Sequence, residues 1–160
     1  MTPNDRDPGS ATTEAANPRQ LLAAEHELLE RTFQEAEFAA KARDPEGLRN
    51  AWTRLENLLL AHMATEETHV LPAFEKVDAT EAMALRTEHA GLRKQLIELG
   101  IGVDLHLVGS PLVAQFMSAL RQHARREDAL AYRWAAENLS PETRTALAIE
   151  LAQADRAARR

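Results

Sequence analysis

The chain has 160 residues, which suits one domain with one core, and its 44% hydrophobic and 28% charged composition is that of an ordinary water-exposed globular protein. A formal net charge of −6 and the lack of any basic stripe argue against a nucleic-acid partner; Arg125-Arg126 and Arg159-Arg160 read as solvated surface. Cysteine is absent, which excludes disulfides, thiolate metal sites and cysteine nucleophiles and fits a cytoplasmic location. No apolar run approaches the roughly 20 residues of a membrane span.

In chain order, residues 1–17 hold Thr, Asn, Asp, Pro, Gly and Ser without an apolar stretch, and read as a disordered tail. Asn17-Pro18 is a cap followed by a proline at the first helical position. Leu22, His26, Leu29 and Phe33 then recur at helical spacing on one face. Asp44-Pro45 ends that pattern and starts a second helix, to about Leu71, whose stripe is Trp52, Leu55, Leu59, His62, Glu66 and His69. Pro72 stops it. A third helix is expected from Asp78, with Thr80 an alternative cap, to near Leu99, with Leu85, His89, Leu92, Leu96 and Leu99 on its stripe. Gly100, Gly102, Gly109 and Pro111 bracket a loop that contains His106, a histidine off every stripe.

Ser110-Pro111 starts a fourth helix, reaching about Leu139, with Phe116, Leu120, His123, Glu127, Leu130 and Trp134 on its stripe. Trp52 and Trp134 read as core; a redox role for Tyr132 is conceivable but has no support in the sequence. Ser140-Pro141-Glu142 opens a shorter fifth helix. The expectation is an all-α, up-down-up-down antiparallel four-helix bundle over residues 18–139, with residues 140–160 forming a C-terminal helix packed on the bundle.

The chain has six histidines, and His26, His62, His89 and His123 fall one to each long helix, among leucines. A single histidine on an apolar face is more often a satisfied core residue than a ligand, and it needs a polar partner either way. Four in register are harder to explain so. His26 lies eight residues past Pro18 and His62 nine before Leu71; His89 lies ten before Leu99 and His123 twelve past Pro111. In antiparallel pairs each couple then shares a level, at about 1.5 Å per residue. Glu66 and Glu127 each follow a histidine by four residues, on the same helix face. Four imidazoles and two carboxylates form a donor set suited to non-haem iron, and two cations would offset the buried negative charge.

The segment His62-Met-Ala-Thr-Glu66-Glu67-Thr-His-Val-Leu-Pro72 resembles the signature of the hemerythrin-like (HHE cation-binding) family. Ala24-Glu25-His26, Glu88-His89 and His123-Ala-Arg-Arg-Glu127-Asp128 resemble its other histidine segments, and the similarity runs from about Pro18 to Leu139. The resemblance implies two iron ions, one on His26 and His62 and one on His89 and His123, bridged by Glu66, Glu127 and an oxo or hydroxo group. It also implies a small diatomic or peroxide ligand, with no membrane partner and no indication of a protein partner.

Three positions depart from the oxygen-carrying pattern. Arg93 stands where those proteins have a second third-helix histidine. Asp128 occupies the place of their last carboxylate and rivals Glu127. His69, almost two turns beyond His62, is an additional ligand, an outer donor or a surface histidine. A missing histidine leaves a more open iron, which favours binding, sensing or reduction of O2, peroxide or nitric oxide, catalase-like turnover included, over simple carriage. The alternatives are a reversible oxygen carrier, an iron store and a metal-independent regulatory module. A ferritin-like store needs two Glu-x-x-His motifs, and only Glu66-x-x-His69 fits. The regulatory module predicts tolerance of His26→Ala and His89→Ala.

Overall fold

The computed structural model describes residues 17–104 and 110–158. The N-terminal tail before Asn17, His106 with its Gly-flanked loop, and Arg159-Arg160 lie outside the described residues. Everything described is helix or short turn, with no strand among the described residues: α1 (Pro18–Lys41), α2 (Pro45–His69), α3 (Leu71–Phe74), α4 (Ala79–Asp104), α5 (Ser110–Ala129), α6 (Ala131–Asn138) and α7 (Pro141–Ala158). No helix among them is long and apolar enough to cross a membrane.

Local chemistry sets the helix starts. Asn17 Oδ1 accepts from the Arg19 amide at 3.0 Å, with Pro18 at the first helical position. Asp44 Oδ1 accepts from the Gly47 amide at 2.9 Å, and Asp78 Oδ1 from the Glu81 amide at 2.9 Å. Ser140 Oγ accepts from the Thr143 amide at 3.2 Å. Each cap satisfies an amide that has no partner within the helix. Gly47 lets the Asp44 carboxylate lie close against the first turn, since a Cβ there would sit 2.3 Å from Asp44 Oδ2 and displace it. Between α1 and α2, Arg43 turns the chain with a left-handed φ of 55°.

Three boundaries depart from expectation. The third long helix does not stop at Leu99; α4 runs through Gly100 and Gly102 to Asp104. Gly100 is used for close approach, as a Cβ there would stand 3.1 Å from Trp52 Nε1. The second helix breaks at Val70 (φ −104°, ψ −58°), two residues before Pro72, and resumes as α3. Pro72 lacks an amide hydrogen, and its ring crowds the carbonyl four residues back. The fourth helix also breaks, at Leu130 (φ −120°, ψ −77°), into α5 and α6. Leu130 is therefore not a core residue: it is 43% exposed, while Tyr132 is fully buried. Trp134 is half-buried against Phe74, ring centroids 5.5 Å apart.

The core is two apolar clusters rather than one. The first joins Leu29 and Phe33 of α1, Trp52 to Met63 of α2, Leu92 to Val103 of α4, and Phe116, Met117 and Leu120 of α5. The second joins Leu22 of α1, Val70, Leu71 and Phe74, Ala82 and Leu85 of α4, Ala131 to Leu139, and Leu147 and Leu151 of α7. On α1, α4 and α5 the polar histidine falls between the two, as His26 does between Leu22 and Leu29 and His89 between Leu85 and Leu92; on α2, His62 sits beside Met63, the last α2 member of the first cluster. Beyond the second cluster, α7 packs along α2 and also touches α1.

Candidate metal centre

His26 on α1, His62 on α2, His89 on α4 and His123 on α5 converge on the layer between the clusters. They form two couples, His26 with His62 and His89 with His123, each with ring centroids 4.7 Å apart. Glu66 and Glu127, one turn past His62 and His123, enter the same layer and are buried. The donor atoms fall into two groups able to hold a cation: Glu66, His89, His123 and Glu127, and His26, His62 and Glu127. Glu127 belongs to both.

In the first group, Glu127 Oε1 stands 2.9 Å from His123 Nε2 and 3.2 Å from His89 Nε2, and Glu66 Oε2 stands 3.3 Å from His89 Nε2. In the second, His26 Nε2 is 3.0 Å from His62 Nε2 and 3.2 Å from Glu127 Oε2. Several of these atoms are close without being hydrogen-bonded. His123 Nε2 and Glu66 Oε2 are buried and have no hydrogen-bond partner despite their near neighbours. Lone pairs that crowd together without aiming at one another are what ligands of a shared intervening cation present. Neutral imidazoles, carboxylates and tight spacing also match the donor chemistry of a transition-metal ion, so the residues fit a metal.

The electrostatics say the same. Burial, and then the negative charge of Glu127, push the Glu66 carboxyl up to about 7. Burial also opposes charging of Glu127, but the imidazoles of His123, His26 and His89 around it outweigh it and hold this carboxyl well below its ordinary range. Burial opposes protonation of His89 too, yet Glu127 and Glu66 raise it to about 10. His62, desolvated and beside His26, is held well below the ordinary imidazole value. Protons thus partly occupy the cluster in place of cations.

The far nitrogens of one couple are held from behind. His89 Nδ1 meets Glu67 Oε1 at 2.9 Å, and Arg93 grips Glu67 with two hydrogen bonds of 2.8 and 2.9 Å. His123 Nδ1 meets Glu88 Oε2 at 2.8 Å, and Glu88 accepts from Arg126 Nη1 at 2.7 Å. Arg126 also pairs with Glu81. A carboxylate behind a ligating histidine fixes its tautomer and orientation and raises its basicity. Arg126 is therefore not solvated surface, and Arg93 is a clamp on the His89 support. Adjacency in sequence was the only trace of these roles, as Glu67 follows Glu66, Glu88 precedes His89 and Arg126 precedes Glu127.

Two candidates do not join the cluster. Asp128 pairs with Arg19 instead, Nε to Oδ1 at 2.9 Å and Nη2 to Oδ2 at 3.1 Å. The break after Ala129 does not rescue it; one residue past Glu127, it faces the side of α1. His69 pairs with Glu150 of α7. Tyr132, given no supported role from sequence, is the unexpected member. Its hydroxyl hydrogen-bonds with Glu66 Oε1 and stands 3.1 Å from His26 Nε2, 3.3 Å from His62 Nε2 and 3.2 Å from Glu127 Oε2. Only the irregular backbone at Leu130 brings it there.

A helical bundle carrying a buried His/Glu cluster able to hold a metal defines a class of metal-binding helical proteins. Within that class, the family model described as hemerythrin HHE cation-binding domain matches residues 17–135, and the chain belongs to that family. The match ends before α7. Searches of the curated proteins and of the solved structures return no match.

Proposed function

We propose that this chain is a non-haem di-iron protein that binds, senses or reduces a small oxidant such as O2, peroxide or nitric oxide. In this reading His26, His62, Glu66, His89, His123 and Glu127 hold two irons within an up-down-up-down antiparallel bundle. The observation that carries it is Glu127, whose two oxygens face different histidine couples, Oε1 toward His89 and His123 and Oε2 toward His26. A single ion needs no such division, whereas a carboxylate whose two oxygens face two donor groups can bridge two ions. When bound, the irons supply open coordination positions and electrons for a small oxidant.

The protein's part is to orient and to admit. Glu67 and Glu88 fix the His89 and His123 rings. His26, at 15% side-chain exposure, is the one imidazole of the four that meets solvent, so a small ligand arrives on that side. Arg93, in place of a further histidine, leaves the cluster with fewer donors than an oxygen carrier, which favours turnover over storage of the ligand. Catalase-like consumption of peroxide is one form of that turnover. A cytoplasmic location accompanies this reading, supported by the lack of cysteine.

The test is metal content and visible absorption of aerobically purified protein, before and after peroxide. About two irons per chain, with a peroxide-dependent spectral change and oxygen release, is the expected result. Folded protein that holds no iron and takes up none on reconstitution would sink the reading. Zinc in place of iron in the purified protein would sink its redox part, since the same ligands accept zinc and it has no redox chemistry.

A further inference from the structure

The chain contains one tyrosine, and its hydroxyl lies inside the ligand layer. Ligand atoms about 2.1 Å from one ion and about 90–110° apart stand about 3.0–3.4 Å from one another. Around the His26–His62 couple, five separations meet that condition: His26 Nε2 to His62 Nε2 at 3.0 Å, His26 Nε2 to Glu127 Oε2 at 3.2 Å, and Tyr132 Oη to these three atoms at 3.1, 3.3 and 3.2 Å. An oxygen that served only as an outer donor would sit behind one ligand. Tyr132 Oη instead sits among them, at the same spacing from each. The ring is stacked on His26, centroids 5.4 Å apart at 27°, and is fully buried, so the hydroxyl has no alternative orientation toward water.

We propose that the Tyr132 phenolate oxygen is a direct ligand of the metal held by His26 and His62. This rests on the di-metal reading above. On metal entry the phenolic O–H bond breaks, the proton leaves to solvent and the oxygen lone pair forms the metal bond; no oxidant is required. The hydrogen bond from Tyr132 to Glu66 is then given up, and Glu66 turns fully to its place between the couples. The two metals are thereby unlike. Both have two imidazoles, but one adds a phenolate and the other has its imidazoles held from behind by carboxylates.

The test is the visible absorption and resonance Raman spectrum of the full chain loaded with iron in air, alongside Tyr132→Phe. A visible tyrosinate-to-ferric charge-transfer band with enhanced tyrosine ring modes, both lost in Tyr132→Phe, is the expected result. No other residue can produce those modes, so the unmodified protein decides the matter even if the variant misfolds. Iron bound at about two per chain without the band overturns the ligand assignment alone and leaves Tyr132 as a hydrogen-bond donor to Glu66. Failure of the unmodified protein to bind iron overturns both proposals together.

Discussion

The two histidine couples have the same ring separation but opposite surroundings. His89 and His123 are buried, and each has a carboxylate behind it that an arginine holds in turn. Among the described residues no carboxylate hydrogen-bonds behind His26 or His62. His62 Nδ1 is buried without a hydrogen-bond partner, His26 reaches solvent, and their neighbour is a tyrosine hydroxyl. One couple is held from behind by carboxylates; the other is held only within the layer, by Tyr132 and by each other. The difference teaches that the centre is asymmetric through its outer contacts, although its inner imidazoles are evenly divided.

The sharpest way to break this comparison is to remove the shared carboxylate. Glu127→Ala takes a donor from both groups, and metal content is expected to fall from about two ions per chain to near none. His26→Ala takes a donor from one group only. Elemental analysis should then find about one ion per chain, on the His89 side; loss of both would mean that the couples do not bind independently. Next come Glu67→Gln and Glu88→Gln, which weaken the backing of one couple. Metal affinity should drop about 10–100-fold by competitive chelator titration, with the His26 side little changed.

The pH response separates metal-free from loaded protein. Glu66, raised to about 7, and His89, raised to about 10, bind protons more tightly folded than unfolded. Their contributions are fully present below the ordinary values of 4.5 and 6.5 and are lost as pH rises through about 7 and about 10. Metal must displace those protons, so its affinity rises over the same range. Thermal unfolding midpoints with and without metal should therefore move apart from pH 5 to pH 8. Parallel curves would show that the ligand cluster does not control stability. The smallest effect is remote from the site. Arg43→Gly relieves a left-handed residue at the α1–α2 turn and should stabilise both forms alike by up to about 1 kcal/mol in urea titration.

Helical spacing made the convergence of the histidine layer legible because His26, His62, His89 and His123 each interrupt a leucine stripe, and because the two glutamates lie one turn on. Caps at Asn17, Asp44, Asp78 and Ser140 were legible for the same local reason. What failed was continuity. A stripe drawn through Leu130 and Trp134 assumes an unbroken helix, and the irregular turn at Leu130 shifts the face so that Tyr132 goes inward. Nothing within the stripe signals that break, in contrast to Pro72, which announces the one at Val70. The arginine-carboxylate backing was also hidden, since Arg93 and Arg126 act across helices, and charge adjacency along the chain does not distinguish such a clamp from exposed surface.

The ligand layer has a further consequence, because it separates the apolar interior into two bodies. Hydrophobic attraction holds each end of the bundle together, yet across the middle the helices meet mainly through polar side chains. The metal-free chain should then behave as two cooperative folding units, opening at different free energies, one around Phe74 and one around Trp52, with α7 reaching from the first through Leu147 to the second at Ala158. Loading fuses the units into one. Amide exchange would resolve this as two protection classes that merge on loading, so that metal occupancy is readable along the whole length of the bundle.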